Sequence, residues 1–355
     1  MLKTVRSLPK IDLHRHLDGD VRGDTLLDLA RRSGIPLPAE SPAGLRSYFD
    51  GLRRQGIIPL FQKGFGLVTS LMQTEENLFL VAYEEVRNLA KEGIIYAEIR
   101  FAPQYHTGEA SYYGHKLGAK KLTYTQIIRA VARGLKSGND EFGLTTRLIV
   151  CIGRESEPAT GIEVAQAALA CVADGVAAID LACDESSYPP ERHKDAYHLT
   201  CGTPLYRTVH AGEFGPQREK NIRTAIEELQ ANRLGHAIRL IRHADLIELV
   251  KERHIGIEMC PRSNRYCGFI HAYRELGIPQ LLAQNVLVTV NSDDPAMFGY
   301  DLNDVIAALK FDWQTVKRLQ LNAIATAFLD RQTKAELGIK FQKLWEQRMA
   351  EIAKS

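Results

Sequence analysis

Short runs rich in Ile, Val and Leu recur along the 355 residues, separated by longer stretches of helical period. The runs fall at 11–17, 94–101, 146–152, 176–182, 206–211, 233–237, 255–260 and 286–291. Near-continuous apolar runs of this kind suit strands buried on both faces of a parallel sheet. In the stretch 76–91, Leu78, Val81, Ala82, Val86 and Leu89 fall on one helical face. Similar stretches lie at 125–137, 162–173, 222–230, 244–253 and 273–283, with 302–310, 313–329 and 334–352 after the last run. Strands alternating with helices mean βαβ units, and about eight of them predict an α/β fold of the (β/α)8 TIM-barrel type. A doubly wound open sheet is the competing arrangement, but it predicts a glycine-rich phosphate turn, and G-x-G-x-x-G is absent. The stretch 34–92 is too long for one crossover and reads as a helical insertion after strand one. It carries Tyr48, Phe49, Leu60, Phe61 and Phe65. These are either plain packing or the wall of a pocket, since insertions at that end of a barrel commonly shape the site. The helices after 302 are read as extra C-terminal elements.

Composition narrows the partners. Hydrophobic residues at 45% and charged residues at 25% match a soluble globular chain and exclude a disordered, collagen-like or coiled-coil one. A net charge of +2 advertises no surface for nucleic acid. The apolar runs end well short of the ~18 residues of a membrane span, and the first residues lack the apolar core of a signal peptide. Six cysteines, at 151, 171, 183, 201, 260 and 267, form no C-x-x-C pair and are too sparse for a disulfide scaffold. A reduced, cytoplasmic protein without a membrane partner is expected.

Metal-capable and acidic residues gather where the runs end. His14 and His16 close the first; at strand spacing they point to the same face, so both can meet one metal while Arg15 points toward the helical layer. His210 closes the fifth, with Glu213 three residues on. His236 closes the sixth. Asp293 and Asp294 follow the eighth. Two adjacent carboxylates at the end of a buried strand are costly unless paired, and a helix N-cap needs only one. Each group alone has an ordinary reading, as a satisfied histidine or a solvated acid. Together they fall at the carboxyl ends of the strands, where a barrel builds its active site. Residues 14, 16, 210 and 293 can meet at one metal only if 1–355 is a single barrel domain. Three imidazoles and one carboxylate, with room for water, suit Zn²⁺. The end of the fourth run offers no Lys for carboxylation, so one metal per subunit is expected.

The motifs HxHLDG (14–19), IDLAxDE (179–185), HAGE (210–213), GH (235–236), CPxSN (260–264) and NSDDPAMF (291–298) together resemble the adenosine deaminase family of the metal-dependent amidohydrolases. They occur in the family's order over nearly the whole chain. The resemblance implies zinc on His14, His16, His210 and Asp293. It implies that Glu213 donates a proton to purine N1, and that His236 and Asp293 orient and help deprotonate the zinc-bound water. Asp294 would bond purine N7, Asp18 and His16 would face the ribose side, and the backbone N–H of Cys183 would meet purine N3. Phe61 and Phe65 would complete the substrate pocket. The implied reaction is attack of zinc-bound hydroxide on C6 of adenosine or 2′-deoxyadenosine, giving inosine or its deoxy form and ammonia. The other zinc deaminase design, H-x-E with P-C-x-x-C, is absent.

The chain departs from the family pattern at Cys183 and Ala237, where glycine is usual, at Arg262, and at Arg15, which is expected to face outward with little effect. The bulk of Cys183 opens alternatives: 6-aminodeoxyfutalosine, a thioether adenine nucleoside, or free adenine, for which Asp18 would have no use. An amide or ester hydrolase on the same scaffold would need neither Glu213 nor Asp294 at this spacing.

Overall fold

In the computed structural model, which describes residues 1–108 and 121–354, each apolar run becomes a strand. They are β1 (Lys10–His16), β2 (Ile94–Phe101), β3 (Thr145–Gly153), β4 (Val176–Ala182), β5 (Tyr206–Ala211), β6 (Arg233–His236), β7 (Gly256–Met259) and β8 (Leu287–Val290). Each strand pairs in parallel with its chain neighbour, from β1 through β8. Closure between β8 and β1 falls to the residues just beyond β8. Asp293 N–H donates to His14 O at 2.9 Å, and His16 N–H donates to Asp293 O at 2.9 Å. Lower on the seam, side chains replace the missing ladder. Leu13 N–H donates to Asn291 Oδ1 at 3.0 Å, and Ile11 N–H to Gln320 Oε1 at 2.7 Å. Every buried backbone donor of β1 needs such a partner. The result is the TIM barrel expected from the alternation, and it fixes the first and last metal-capable segments against each other.

Helices wrap the outside. Glu75–Glu92 starts at an N-cap Thr74 and ends at Gly93, whose φ of 77° suits glycine alone without strain. Leu78, Val81, Ala82, Val86 and Leu89, its expected apolar face, are all buried. The next helix, Tyr124–Phe142, approaches it closely because Gly138 faces Val86: a Cβ there would lie 2.5 Å from the valine Cβ. Between β1 and β2 the chain forms Gly23–Ser33, Pro42–Gln55, a short turn, a π-helical turn Leu60–Phe65, and Gly66–Leu71 before Glu75–Glu92. After β8 come Leu302–Leu309, Trp313–Thr326 and Arg331–Ala353, each capped by an aspartate whose side chain accepts an N–H of the first turn: Asp301, Asp312 and Asp330. One expected helix is corrected. The stretch 273–283 breaks into Tyr273–Leu276 and Ile278–Ala283, because Gly277 takes φ +61° between them. No helix among the described residues is long and apolar enough to cross a membrane.

Arg15 does point out of the barrel, toward Glu75–Glu92, but it is far from inconsequential. It is fully buried and pairs with Glu85 (2.6 Å), Glu92 (2.9 Å) and Asp20 (2.5 Å). A buried guanidinium needs this much compensation. The arrangement pins the segment that carries His14 and His16 to the helix outside it.

Candidate active site

Alternation along β1 brings His14 and His16 to the mouth on one side, β5 delivers His210, and the turn after β8 delivers Asp293. The ligand atoms of these four residues all lie within 4.8 Å of one another. His16 Nε2 is 3.2 Å from His210 Nε2, and Asp293 Oδ1 is 3.4 Å from Nε2 of both His14 and His16. His14 Nε2 is buried and has no hydrogen-bond partner, so an acceptor lone pair or an N–H is aimed into the cluster unsatisfied. The opposite nitrogens are occupied. His14 Nδ1 meets Glu258 Oε2 at 2.7 Å and His210 Nδ1 meets Asp180 Oδ2 at 3.0 Å. Carboxylates holding Nδ1 leave Nε2 free for a metal, the usual arrangement around a histidine-bound zinc. Burial, with the neighbouring imidazoles, keeps His16 and His210 below the ordinary histidine range, hence neutral and able to ligate. Burial opposes charge on Asp293 too, but the hydrogen bond with His14 and the charge of that imidazole, foremost among its neighbours, outweigh it and hold the carboxyl well below the usual range. The donor set therefore fits a zinc-sized cation. A second grouping replaces His16 and His210 by His236 and Cys260. Burial pushes the Cys260 thiol well up, and a thiol must lose its proton to ligate, so the first set is the better metal site.

Beside this cluster, Glu213 Oε1 lies 3.6 Å from His236 Nε2, and its side chain is 14% exposed. Burial, then the charges of Asp293 and Glu185, raise the Glu213 carboxyl well above the usual range, which favours its protonated form. Glu185 holds it in place: its carboxylate accepts from the N–H groups of Gly212, Glu213 and Phe214 at 2.6, 2.8 and 3.2 Å. His236 is oriented by Asn264, 3.0 Å from Nδ1. Asp294 is buried against Gly19, where a Cβ would overlap its carboxyl group. Its Oδ1 is unpartnered and it makes no side-chain cap to the following turn Pro295–Phe298, which removes the ordinary capping role. Burial and the charges of Asp293 and Asp18 raise it far above the usual carboxyl range. Asp18 is half-buried at the mouth, and burial lifts it to about 6. The Phe61 and Phe65 rings lie 4.8 Å apart, tilted by 35°, in the π-helical turn, with Phe61 exposed. The insertion is docked on the site's own loops: Arg53 donates to Met297 O at 2.9 Å, and Tyr266 donates to Arg53 O at 3.1 Å.

Asp180, Glu185, Glu258, Arg100 and Asn264 were not singled out from sequence. For Asp180, Glu258 and Arg100 the available signal was charge inside otherwise apolar strands, which burial permits only when it is paired; Glu185 and Asn264 lie beyond the strand ends, in the motifs 179–185 and 260–264.

The adenosine deaminase family model matches residues 9–343. An adenosine deaminase of Clostridium kluyveri is 32% identical, covering 99% of this chain and 96% of that protein. One of Xenopus tropicalis is also 32% identical, covering 95% and 96%. The chain belongs to the adenosine deaminase family. It is accordingly a hydrolytic aminohydrolase. Among solved structures, a zinc-bound amidohydrolase of Burkholderia ambifaria superposes with a TM-score of 0.84 at 25% identity, covering 100% of this chain and 95% of that one. An adenine deaminase of Arthrobacter aurescens superposes at 0.80 with 26% identity, covering 99% and 100%. Against the family pattern, the two departures from glycine fall on left-handed backbone: Cys183 has φ +80° and Ala237 φ +46°. Glycine takes those angles without strain, which explains the usual residue. Arg262 lies with its guanidinium 4.6 Å over the Tyr300 ring.

Proposed function

We propose that this family member deaminates adenosine and 2′-deoxyadenosine to inosine or 2′-deoxyinosine and ammonia, using one zinc ion. The observation that carries the reading is the placement of Glu213, nearly buried and 3.6 Å from His236, beside a four-residue metal set, with the buried, unpartnered Asp294 carboxyl across the mouth. His14, His16, His210 and Asp293 would hold the metal. A zinc ion held there would lower the pKa of water from 15.7 to about 7, the chemistry that makes a hydroxide nucleophile available at neutral pH.

The chain's residues do the rest. Purine N1 and N7 are both acceptors, so each needs a donor rather than a carboxylate. Glu213 transfers its proton to N1 as water adds at C6, which relieves the charge building there. His236 and Asp293 orient the water; one of them accepts its first proton and passes it to the departing amino group, and the proton left on the C6 hydroxyl returns to Glu213 as the 6-oxo group forms. Asp294 donates to N7 and fixes the ring plane. The N–H of Cys183 meets N3, and Asp18 takes the ribose 5′ hydroxyl. Phe61 and Phe65 wall the pocket. The sum is one purine nucleoside plus water giving the 6-oxopurine nucleoside plus ammonia.

The zinc-loaded protein mixed with adenosine is expected to show the ultraviolet shift to inosine; no turnover of any adenine nucleoside would refute the reading. A panel of adenosine, 2′-deoxyadenosine, adenine and 6-aminodeoxyfutalosine ranks the substrates. In the same panel Asp18→Ala is expected to reduce nucleoside turnover at least 10-fold more than adenine turnover, about the effect of one buried hydrogen bond to charge. The reverse pattern removes Asp18 from the ribose side.

A further inference from the structure

The ends of β5, β6, β8 and β1 are occupied by the groups described above and Cys260 follows β7, which leaves the arc formed by β2, β3 and β4. Three polar side chains converge on it, one from each strand end. Tyr105 follows β2, Glu155 follows β3 and Cys183 follows β4. The Tyr105 hydroxyl bonds the Glu155 carboxylate and lies 3.5 Å from Cys183 Sγ. Gly153 at the end of β3 makes this possible, because a Cβ there would overlap the Tyr105 hydroxyl. Cys183 itself is exposed to the mouth, and it holds φ +80° without being glycine. Strained backbone retained at the rim of a pocket points to a use for the side chain.

The direction of the substrate follows from the barrel order. With C6 over the metal set and N1 at Glu213, just beyond β5, the next ring atoms are C2 and then N3. The next strand end round the mouth is that of β4, which carries Cys183. N7, on the far side of the ring, lies at Asp294 beyond β8. The C2–N3 edge therefore abuts Cys183.

We propose that Cys183, braced by Tyr105 and Glu155, excludes substituents at purine C2, so that the enzyme accepts 6-aminopurine nucleosides with hydrogen at C2 and rejects those bearing a halogen or amino group there. This rests on the adenosine reading above. Backbone N–H binding at N3 needs no side chain at 183. The thiol adds a rigid obstacle, because its neighbour Tyr105 is itself fixed by Glu155 and by the lack of a side chain at Gly153.

The test compares kcat/KM for 2-chloroadenosine and adenosine in the parent, in Cys183→Gly and in Cys183→Ser. The chlorine's electronic effect is common to all three enzymes and cancels in the comparison. Cys183→Gly removes both the obstacle and the strained φ, so it is expected to melt no lower than the parent. It is expected to raise the 2-chloroadenosine to adenosine ratio about 10-fold or more, the size of effect one small group has in a tight pocket. Cys183→Ser keeps the bulk and is expected to keep the parent ratio. A parent active on adenosine whose ratio does not move in Cys183→Gly overturns this proposal alone. A ratio that rises equally in Cys183→Ser overturns the steric account. A zinc-loaded parent inert toward adenosine overturns the functional reading and this one with it.

Discussion

A Glu213→Gln enzyme is expected to retain one zinc per chain and to lose about 10²–10⁴-fold in kcat, the usual contribution of a positioned general acid. The two properties separate because Glu213 lies outside the metal set, with His236 Nε2 3.6 Å from its carboxyl group. Glutamine preserves the shape, and the turn that carries position 213 is held through backbone N–H groups by Glu185, which the substitution leaves alone. What is lost is an acidic proton at N1. An amide N–H can still donate a hydrogen bond there, so substrate binding should fall far less than kcat. Steady-state kinetics on adenosine with metal analysis of the same sample checks both halves. A rate that survives means another group supplies the proton. A loss of zinc means that Glu213 reaches the metal.

The barrel could be read from the sequence because its strands are buried on both faces. A continuous apolar run cannot sit at a surface, and the runs at 94–101, 176–182 and 206–211 became β2, β4 and β5 with the same bounds. The helix expected at 76–91 extends to Glu75–Glu92, where a threonine cap and a left-handed glycine set its ends. The convergence of positions 14, 16, 210 and 293 followed from strand-end logic, and the distances among them bring it about. Other features had no local signature. The π-helical turn Leu60–Phe65 carries no distinct period in so short a segment. The left-handed backbone at Cys183 is set by the closure of the β4 end and not by cysteine, which avoids that conformation. Arg15 looked like an outward-facing substitution of small effect. Only the packing of Glu75–Glu92, which brings Glu85 and Glu92, and the turn after β1, which brings Asp20, show that carboxylates close on it. Charges buried in strands could be recognised as unusual, but their partners lie far along the chain, 158 residues apart for Arg100 and Glu258 and 244 for His14 and Glu258.

That pair belongs to the ion lattice inside the barrel, and its centre is where the largest stability effect is expected. Glu258 on β7 accepts from Arg100 at 2.7 Å, Arg233 at 2.6 Å and Thr208 at 2.9 Å, and holds His14 Nδ1 at 2.7 Å. Burial opposes its ionisation, yet Arg100 and Arg233 outweigh that and keep it charged well below the usual carboxyl range. Arg100 also reaches Asp180 at 2.8 Å, which holds the Nδ1 of His210. Two of the three histidines in the metal set are thus steered by carboxylates joined through one guanidinium. Glu258→Ala leaves Arg100 and Arg233 with uncompensated buried charge, and the metal-free protein is expected to lose about 3–5 kcal/mol of stability. Glu258→Gln keeps the volume and a hydrogen-bond acceptor for His14, so it should fold, but it removes the charge that makes that imidazole a strong ligand. Its zinc affinity is expected to fall about 10–100-fold, the usual cost of losing such a partner. Chemical denaturation of the apo forms and competitive zinc titration against a chelator measure the two effects separately. If Glu258→Gln binds zinc as tightly as the parent, the lattice holds up the barrel without tuning the site. If Glu258→Ala is as stable as the parent, the two guanidiniums find other partners, and the lattice is not the keystone its distances describe.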